Sequence, residues 1–429
     1  MSEFVFDPKI FISPPYVKCP NCKIKDSFGV LWIGNNYYSR RCKDCLFTKQ
    51  YTLPKLEKLI LYIDQFAISN MMKALNPKTK AYKREAIDDF WRDLFGKLDI
   101  LSKLQLIICP DSEFQSNESL VSPFFPSLRR MYELFSQGVT FKDKETIRRF
   151  QVTKHARNWI RSECEKPISL DVNSIVHGDI NAWQERFILT VNVPYSEETI
   201  NEIRDLRSKT HDGLSRIFSQ WQNDKDKSFD FWFHEESRAF GDATLKIYFM
   251  NLEKYKEMAK GRRMLTMNDI MPSSSVILIK AVQSIFKEEG VEDNDIWPKT
   301  IEYFNSPSLA NIPFNKISSM LFASLARKAA TGRQKPPNRG MVNDIDMIST
   351  LLPYCDAMFI DKECHGYLLE EPTKSRVDYR TKIFSLLNKE EFFDYLDSIK
   401  KDASCEHIDK IEEVYGTDWK KPFTEIFIK

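Results

Sequence analysis

The sequence predicts an α/β protein in separated parts: a parallel sheet flanked by helices, interrupted by a mostly α-helical insertion and preceded by a small cysteine-rich module. Three observations predict it. Short apolar runs that stop on an acid occur near both ends of the chain, in LEKLILYIDQF and YCDAMFIDKE. Strand–helix alternation at both ends frames a long middle with helical periodicity. Residues 1–52 carry two Cys-x2-Cys pairs and differ in character from the rest of the chain.

A chain of 429 residues exceeds one average domain, and 42% hydrophobic content supplies a packed core. The net charge of +2 does not by itself point to a nucleic-acid partner. No stretch approaches the roughly eighteen apolar residues of a membrane helix, and MSEFVFDPKI lacks a signal-peptide pattern, so a cytoplasmic chain is expected. The spacing of the nine cysteines suits reduced thiols and one metal site better than a disulfide framework.

The elements follow in order. FGVLWIGNNYYSRR reads as two strands with a hairpin turn at Asn35-Asn36. LEKLILYI reads as a buried strand, and a helix follows from Gln65 to about Leu75. Ile87, Phe90, Leu94 and Leu98 have helical spacing, LQLIIC is a second strand, and a helix covers about Ser127 to Ser136. Helical periodicity then dominates: ETIRRFQVTKHARNWIRSECEK, NAWQERFIL, EETINEIRDLRSKTHDGLSRIFSQW, ATLKIYFMNLEKYKEMAKGRRM and NKISSMLFASLARKAAT, with breaks at Pro194 and Pro272. After the loop GRQKPPNRG the alternation returns: helix NDIDMISTLLPY, strand AMFI, helix TKIFSLLNKEEFFDYLDSI and a terminal strand FTEIFIK. The expected units are 1–52, 53–140, 141–334 and 335–429, the second and fourth forming one α/β domain.

Cys19, Cys22, Cys42 and Cys45 have the spacing of a four-cysteine zinc ribbon, two knuckles closed by a hairpin. A closed thiolate shell leaves no open position, so a zinc held here would be structural; four unrelated buried cysteines are the alternative. Arg40, Arg41 and Lys43, interleaved with Phe28, Trp32, Tyr37, Tyr38 and Phe47, suit single-stranded nucleic acid; an aromatic core for a folding module is the alternative.

Asp64, Glu118, Asp344 and Asp361 stand at strand ends or helix starts. An acid at the carboxyl edge of an open sheet lies where such sheets place ligands. Several converging carboxylates suit Mg2+ or Mn2+, and those ions suit phosphodiester hydrolysis. Asp346 competes with Asp344, Glu113 with Glu118, and Asp111 and Asp356 are further competitors. For a single Asp, a helix cap or strand-end turn is the commoner role.

YIDQFAISNM, the Glu118 segment and NDIDMISTLLPYCDAMFIDKE together resemble the PIN (PilT N-terminal-like) nuclease family, over roughly 55–137 and 335–429. The resemblance implies a PIN-like parallel sheet and an acidic Mg2+- or Mn2+-dependent site made of Asp64, Glu118, Asp344 and Asp361. It implies an endoribonuclease, a hydrolase of phosphodiester bonds in RNA or single-stranded DNA, acting as a toxin, an antiviral defence effector or a processing factor. Residues 141–334 lie outside it, and a regulatory protein partner on this insertion is expected from its size alone. The cationic stretch with Arg333, Lys335 and Arg339 would guide phosphates, or simply solubilise a loop. Asn343 and His365 would help position substrate, although a helix cap or a surface residue is the commoner role for each. Two alternatives stay open: a non-catalytic nucleic-acid-binding or scaffold protein on a degenerate fold of this kind, and a metal-independent HEPN-type ribonuclease using Arg204 with His211, or Arg148 with His155.

Overall fold

The computed structural model describes residues 8–83, 88–185, 196–262, 264, 272–420 and 427. The chain is mixed α/β, with a parallel sheet, a small antiparallel sheet and an N-terminal cysteine cluster. Strands β1 (Ser13–Val17), β2 (Phe28–Ile33), β3 (Tyr37–Cys42) and β4 (Thr48–Thr52) pair antiparallel in chain order. The turn between β2 and β3 falls at the Asn pair, closed by Gly34 N–H donating to the Tyr37 carbonyl at 2.8 Å.

Next come β5 (Leu59–Ile63), α1 (Gln65–Leu75), α2 (Lys80–Lys83), α3 (Phe90–Lys103), β6 (Ile107–Ile108), α4 (Glu113–Leu120) and α5 (Phe125–Ser136). The middle contains β7 (Thr140–Phe141), α6 (Lys144–Ile160), β8 (Val176–His177), α7 (Glu197–Asn223), α8 (Phe229–Ala259), α9 (Ser274–Glu288), α10 (Asp293–Phe304) and α11 (Pro313–Ala330). The chain then runs through α12 (Met341–Leu351), β9 (Ala357–Phe359), α13 (Lys362–Leu369), α14 (Thr373–Arg376), β10 (Lys382–Phe384), α15 (Lys389–Lys401) and α16 (Cys405–Tyr415).

The four-stranded sheet has the order β10-β9-β5-β6, every neighbouring pair parallel. Strand β5 is central, pairing with β6 from its own half and with β9 from the far end of the chain, Leu61 opposite Ala357 and Ile63 opposite Phe359. Order therefore reverses between β5 and β9, the kind of switch point where open α/β sheets form a crevice. Alternate residues of these strands enter different cores. Ile60, Tyr62, Met358 and Ile360 join α11 and α12 on one face; Leu61, Ile63, Ala357 and Phe359 join α1, α3 and α15 on the other. This is why LILYI and AMFI read as continuous apolar runs: both faces are covered.

Several details depart from the sequence expectations. Lys382–Phe384 is a strand beside β9 rather than the start of a helix; the turn that follows is tied by Ser385 N–H to Asn388 Oδ1 at 2.8 Å, and α15 begins only at Lys389. Residues 181–185 of NAWQERFIL are not helical, and its remainder lies outside the described residues. The second strand is limited to two residues, Ile107 and Ile108. Ile87, Pro194 and, except for Phe427, the segment FTEIFIK also lie outside the described residues. The middle segment does not stand apart from the sheet: Ile147 of α6 and Ile317, Leu321 and Leu325 of α11 share one core with Ile60 and Tyr62.

The N-terminal module is docked on the C-terminal end. Val30, Ile33 and Tyr38 pack with Leu104, Ile411, Val414 and Tyr415, and the Tyr38 hydroxyl donates to the Glu413 carboxylate. Among the described residues, no helix is long and apolar enough to cross a membrane.

Candidate functional site

Two clusters of metal-ligating side chains occur among the described residues. In the first, the sulfurs of Cys19, Cys22, Cys42 and Cys45 all lie within 4.8 Å of one another. Cys19 and Cys45 approach to 3.7 Å, and Cys22 and Cys42 to 3.6 Å. Four thiolates around a tetrahedral zinc, with Zn–S near 2.3 Å, would stand about 3.8 Å apart, so the cluster fits a metal such as zinc. Asp44 and Cys45 N–H point at Cys42 Sγ from 3.4 and 3.5 Å. Burial opposes ionisation of Cys42, but the Ser27 hydroxyl and these N–H groups bring it down to about 6. Cys22 moves the other way, up to about 12: the Ile24 backbone favours its thiolate, but burial and the three other cysteines outweigh it. Without a cation the four sulfurs do not all ionise together; a dication removes that conflict.

The expected nucleic-acid cations of this module are not equivalent. Arg40 is buried, and its guanidinium donates to the carbonyls of Pro15 at 2.6 Å, Phe28 at 3.2 Å and Glu413 at 2.6 Å. It fastens the module to α16 and is not available to a ligand. Lys43 lies over the Tyr16 ring at 3.4 Å. Tyr38 and Phe28 are core residues, whereas Trp32 is 43% exposed beside Tyr37.

The second cluster forms at the carboxyl edge of the parallel sheet. Asp64 is the residue after β5 and Asp361 follows β9 by two, so the two acids leave neighbouring central strands at the same edge. The Asp64 N–H donates to the Phe359 carbonyl at 3.0 Å, which continues the ladder to the acid itself. Each acid then caps a helix. Asp64 Oδ1 accepts from Gln65 N–H at 2.6 Å; Asp361 Oδ1 accepts from Glu363 and Cys364 N–H at 2.7 and 3.1 Å. Capping fixes the side chains and turns them toward positive helix ends. Asp361 Oδ2 is buried with no hydrogen-bond partner. A buried carboxylate oxygen left unpaired is costly unless a cation or proton completes it.

Asp344, in the first turn of α12, completes the cluster. Ligand atoms of Asp344, Asp361 and Cys364 lie within 4.8 Å of one another. Burial, then the charges of Asp64, Asp361 and Glu118, push the Asp344 carboxyl well above its ordinary range. Burial and the Glu118 and Asp361 charges do the same to Asp64. Glu118 is raised mainly by burial, while the Arg207 charge and a hydrogen bond from Asn343 pull the other way. Its Oε1 accepts from Asn343 Nδ2 at 2.6 Å. Acids from both ends of the chain thus repel one another in one partly buried place, where Asp344, Asp361 and Cys364 could hold a metal ion.

The competing assignments separate cleanly. Asp346 faces away and accepts from Arg148 at 2.8 Å and Lys144 at 3.1 Å. Glu113 Oε1 accepts from the Lys144 N–H at 2.6 Å. Asp356 lies at the opposite edge, its Oδ2 accepting from Ile60 N–H at 2.8 Å, and Asp111 bridges to Thr140. Glu118 sits in the last turn of α4, not at its start, because Ser112 caps that helix earlier than the sequence suggested.

Arg333 is also not a free cation: it binds the Glu363 carboxylate and the Tyr367 hydroxyl. Lys335 and Arg339 are exposed. Of the metal-independent pairs, Arg148 is held by Asp346 and His155 is buried, with Nδ1 3.0 Å from the Tyr303 hydroxyl; burial moves that imidazole down to about 4. Arg204 is exposed and bonds Asn201 at 3.2 Å. His365 is buried with Nε2 unpartnered. Sequence reasoning missed Cys364 and Arg207. Cys364 was legible as the third residue after Asp361 on a capped helix; Arg207 lies in the segment outside the family resemblance.

No protein-family model matches this chain, and comparison with curated proteins and with solved structures gives no significant match.

Proposed function

We propose that this chain is a metal-dependent ribonuclease, a PIN-like phosphodiester hydrolase carrying a structural zinc ribbon. The observation that carries the reading is the convergence of Asp64, Glu118, Asp344 and Asp361, with the unpaired Asp361 Oδ2 among them. The parallel sheet with acids at the ends of its two central strands supports the same reading. Asp344 and Asp361 are the residues to hold a Mg2+ or Mn2+ ion, with Asp64 and Glu118 completing its surroundings. Such an ion lowers the pKa of water and stabilises negative charge on a phosphodiester. With the cation's charge present, mutual repulsion is relieved and the carboxyls ionise.

Asp64 Oδ2, which accepts no hydrogen bond among the described residues, is the atom to take the proton from the attacking water. The water oxygen forms the new bond to phosphorus, the bond to the departing ribose oxygen breaks, and that oxygen takes a proton from solvent. Asn343 holds Glu118 in its rotamer throughout.

The test is cleavage of labelled single-stranded RNA and DNA in Mn2+, in Mg2+ and in EDTA, by wild type, Asp64→Asn and Asp361→Asn. Cleavage in Mn2+ that is abolished by EDTA and reduced on the order of 10²-fold or more by either variant is expected. A wild type that binds RNA but leaves it intact in both metals would favour the non-catalytic scaffold instead.

A further inference from the structure

We infer that Arg207, carried into the site by α7, grips the scissile phosphate of the nucleic-acid substrate; this role rests on the nuclease reading above. Helix register puts the arginine on the core-facing side of α7. Leu214, Phe218 and Trp221 of α7 are buried in the core that contains Ile60 and Tyr62 of β5. They recur at spacings of three and four, which places them on one helix face. Continued toward the N-terminus, the same face carries His211 and Arg207, both partly buried, while Lys209 and Asp212 are exposed. At 1.5 Å per residue, Arg207 lies about 10 Å along the axis from Leu214. Helix α7 packs against α11 and α12, and α12 bears both Asn343 and Asp344. The helix that closes one side of the core therefore runs beside the helix that bears Asp344, with Arg207 partly buried on its core-facing side.

The surroundings separate this arginine from the other cations. Arg333 is engaged by Glu363 and Tyr367, Lys144 and Arg148 by Asp346, and Lys328 by Glu370 at 2.7 Å. Among the described residues Arg207 makes no hydrogen bond and no ion pair. Its positive charge nevertheless acts on Glu118, easing the effect of burial there. It is thus near the acidic cluster with its N–H donors free. Five donors in a planar fork match two oxygens of a phosphate, and a guanidinium stays charged at any working pH. A cation whose charge reaches Glu118 gives the site two poles: acids for a metal ion, and an arginine for the phosphate oxygens.

The experiment compares wild type, Arg207→Ala, Arg207→Gln, Arg207→Lys and the control Lys209→Ala. Single-turnover cleavage of fluorescein-labelled single-stranded RNA in Mn2+ is measured across RNA concentrations, with Mn2+ affinity titrated separately. Expected are losses on the order of 10²-fold in kcat/KM for Ala and Gln, partial recovery with Lys, and an unchanged Mn2+ midpoint. Lys209→Ala should match wild type. Arg207→Gln keeps the helix-compatible stem, so it serves if the Ala variant folds poorly. Cleavage by Arg207→Gln within twofold of wild type overturns the role of Arg207 and leaves the nuclease reading standing. A wild type that cleaves nothing overturns that reading, and this role with it.

Discussion

Two aspartates two residues apart on the same helix show how much environment decides. Asp344 is raised by burial and by its acidic neighbours, so its charge opposes folding. Asp346 is partly buried too, but Arg148 and Lys144 outweigh that and hold its carboxyl below the usual range. The linkage has opposite signs. For Asp344 the folded chain holds the proton more tightly, so stability is full below about 3.8, the ordinary carboxyl value, and declines as pH rises. For Asp346 stability is present above 3.8 and is lost as pH falls through its lowered value. Metal-free Asp344→Asn should therefore be more stable than wild type at neutral pH, by roughly 0.5–2 kcal/mol. Asp346→Asn should be less stable by about 1–3 kcal/mol, because two cations lose their partner. Urea unfolding at pH 4 and pH 7.5 checks both, and the gap between the variants should widen at the higher pH. Both residues read alike in NDID; the difference comes from cations roughly 200 positions earlier (|i−j| = 202 and 198), which no local pattern shows.

At the scale of elements, glycine to alanine gives a sharp contrast. An alanine Cβ at Gly241 of α8 would sit 1.9 Å from the Phe304 carbonyl oxygen, while one at Gly213 of α7 meets nothing within 4 Å. Alanine gains about 1 kcal/mol of helix propensity at either place. At Gly213 that gain stands, so Gly213→Ala should stabilise by about 0.5–1 kcal/mol. At Gly241 the clash wins, and a loss of about 1–3 kcal/mol or more is expected; thermal melts of the two variants moving in the same direction would contradict this packing. Legibility follows the same logic. Long amphipathic segments such as α7, α8 and α11 are visible in sequence because their apolar stripe repeats over several turns. Strand β10 is not, because three residues cannot display a period of two, and the helix after it invited one continuous helical reading. Asp64 and Asp361 were legible because an apolar strand running into an acid is a local signal. Choosing Glu118 over Glu113 required the position of a cap.

The whole molecule ties its smallest module to its largest. The cysteine cluster holds β2 and β3, and those strands pack on α16, which in turn contacts Leu104 at the end of α3. Binding energy at a structural zinc site acts as folding energy. Removing the metal with a strong chelator, or substituting Cys19→Ser, should therefore lower the unfolding temperature of the entire chain, not release one module. For a cluster that binds one metal ion, calorimetry should show a single earlier transition as metal content falls from one ion per chain to none. An unshifted main transition after complete zinc loss would show that the module is energetically separate.

The order of the parallel sheet also sets a clock. The central strand β5 is made before its partner β9, which comes about 300 residues later, the Asp356–Ile60 contact spanning 296 positions. Closing so long a loop costs entropy before any pairing repays it, so this step belongs late in folding. On a ribosome adding about 5–20 residues per second, β5 waits on the order of 15–60 s for that partner. For most of that interval Asp64 and Glu118 exist without Asp344 and Asp361 beside them. A nascent chain that has made α4 but not α12 therefore carries only two of the four acids, and these meet the other two once β9 has been made.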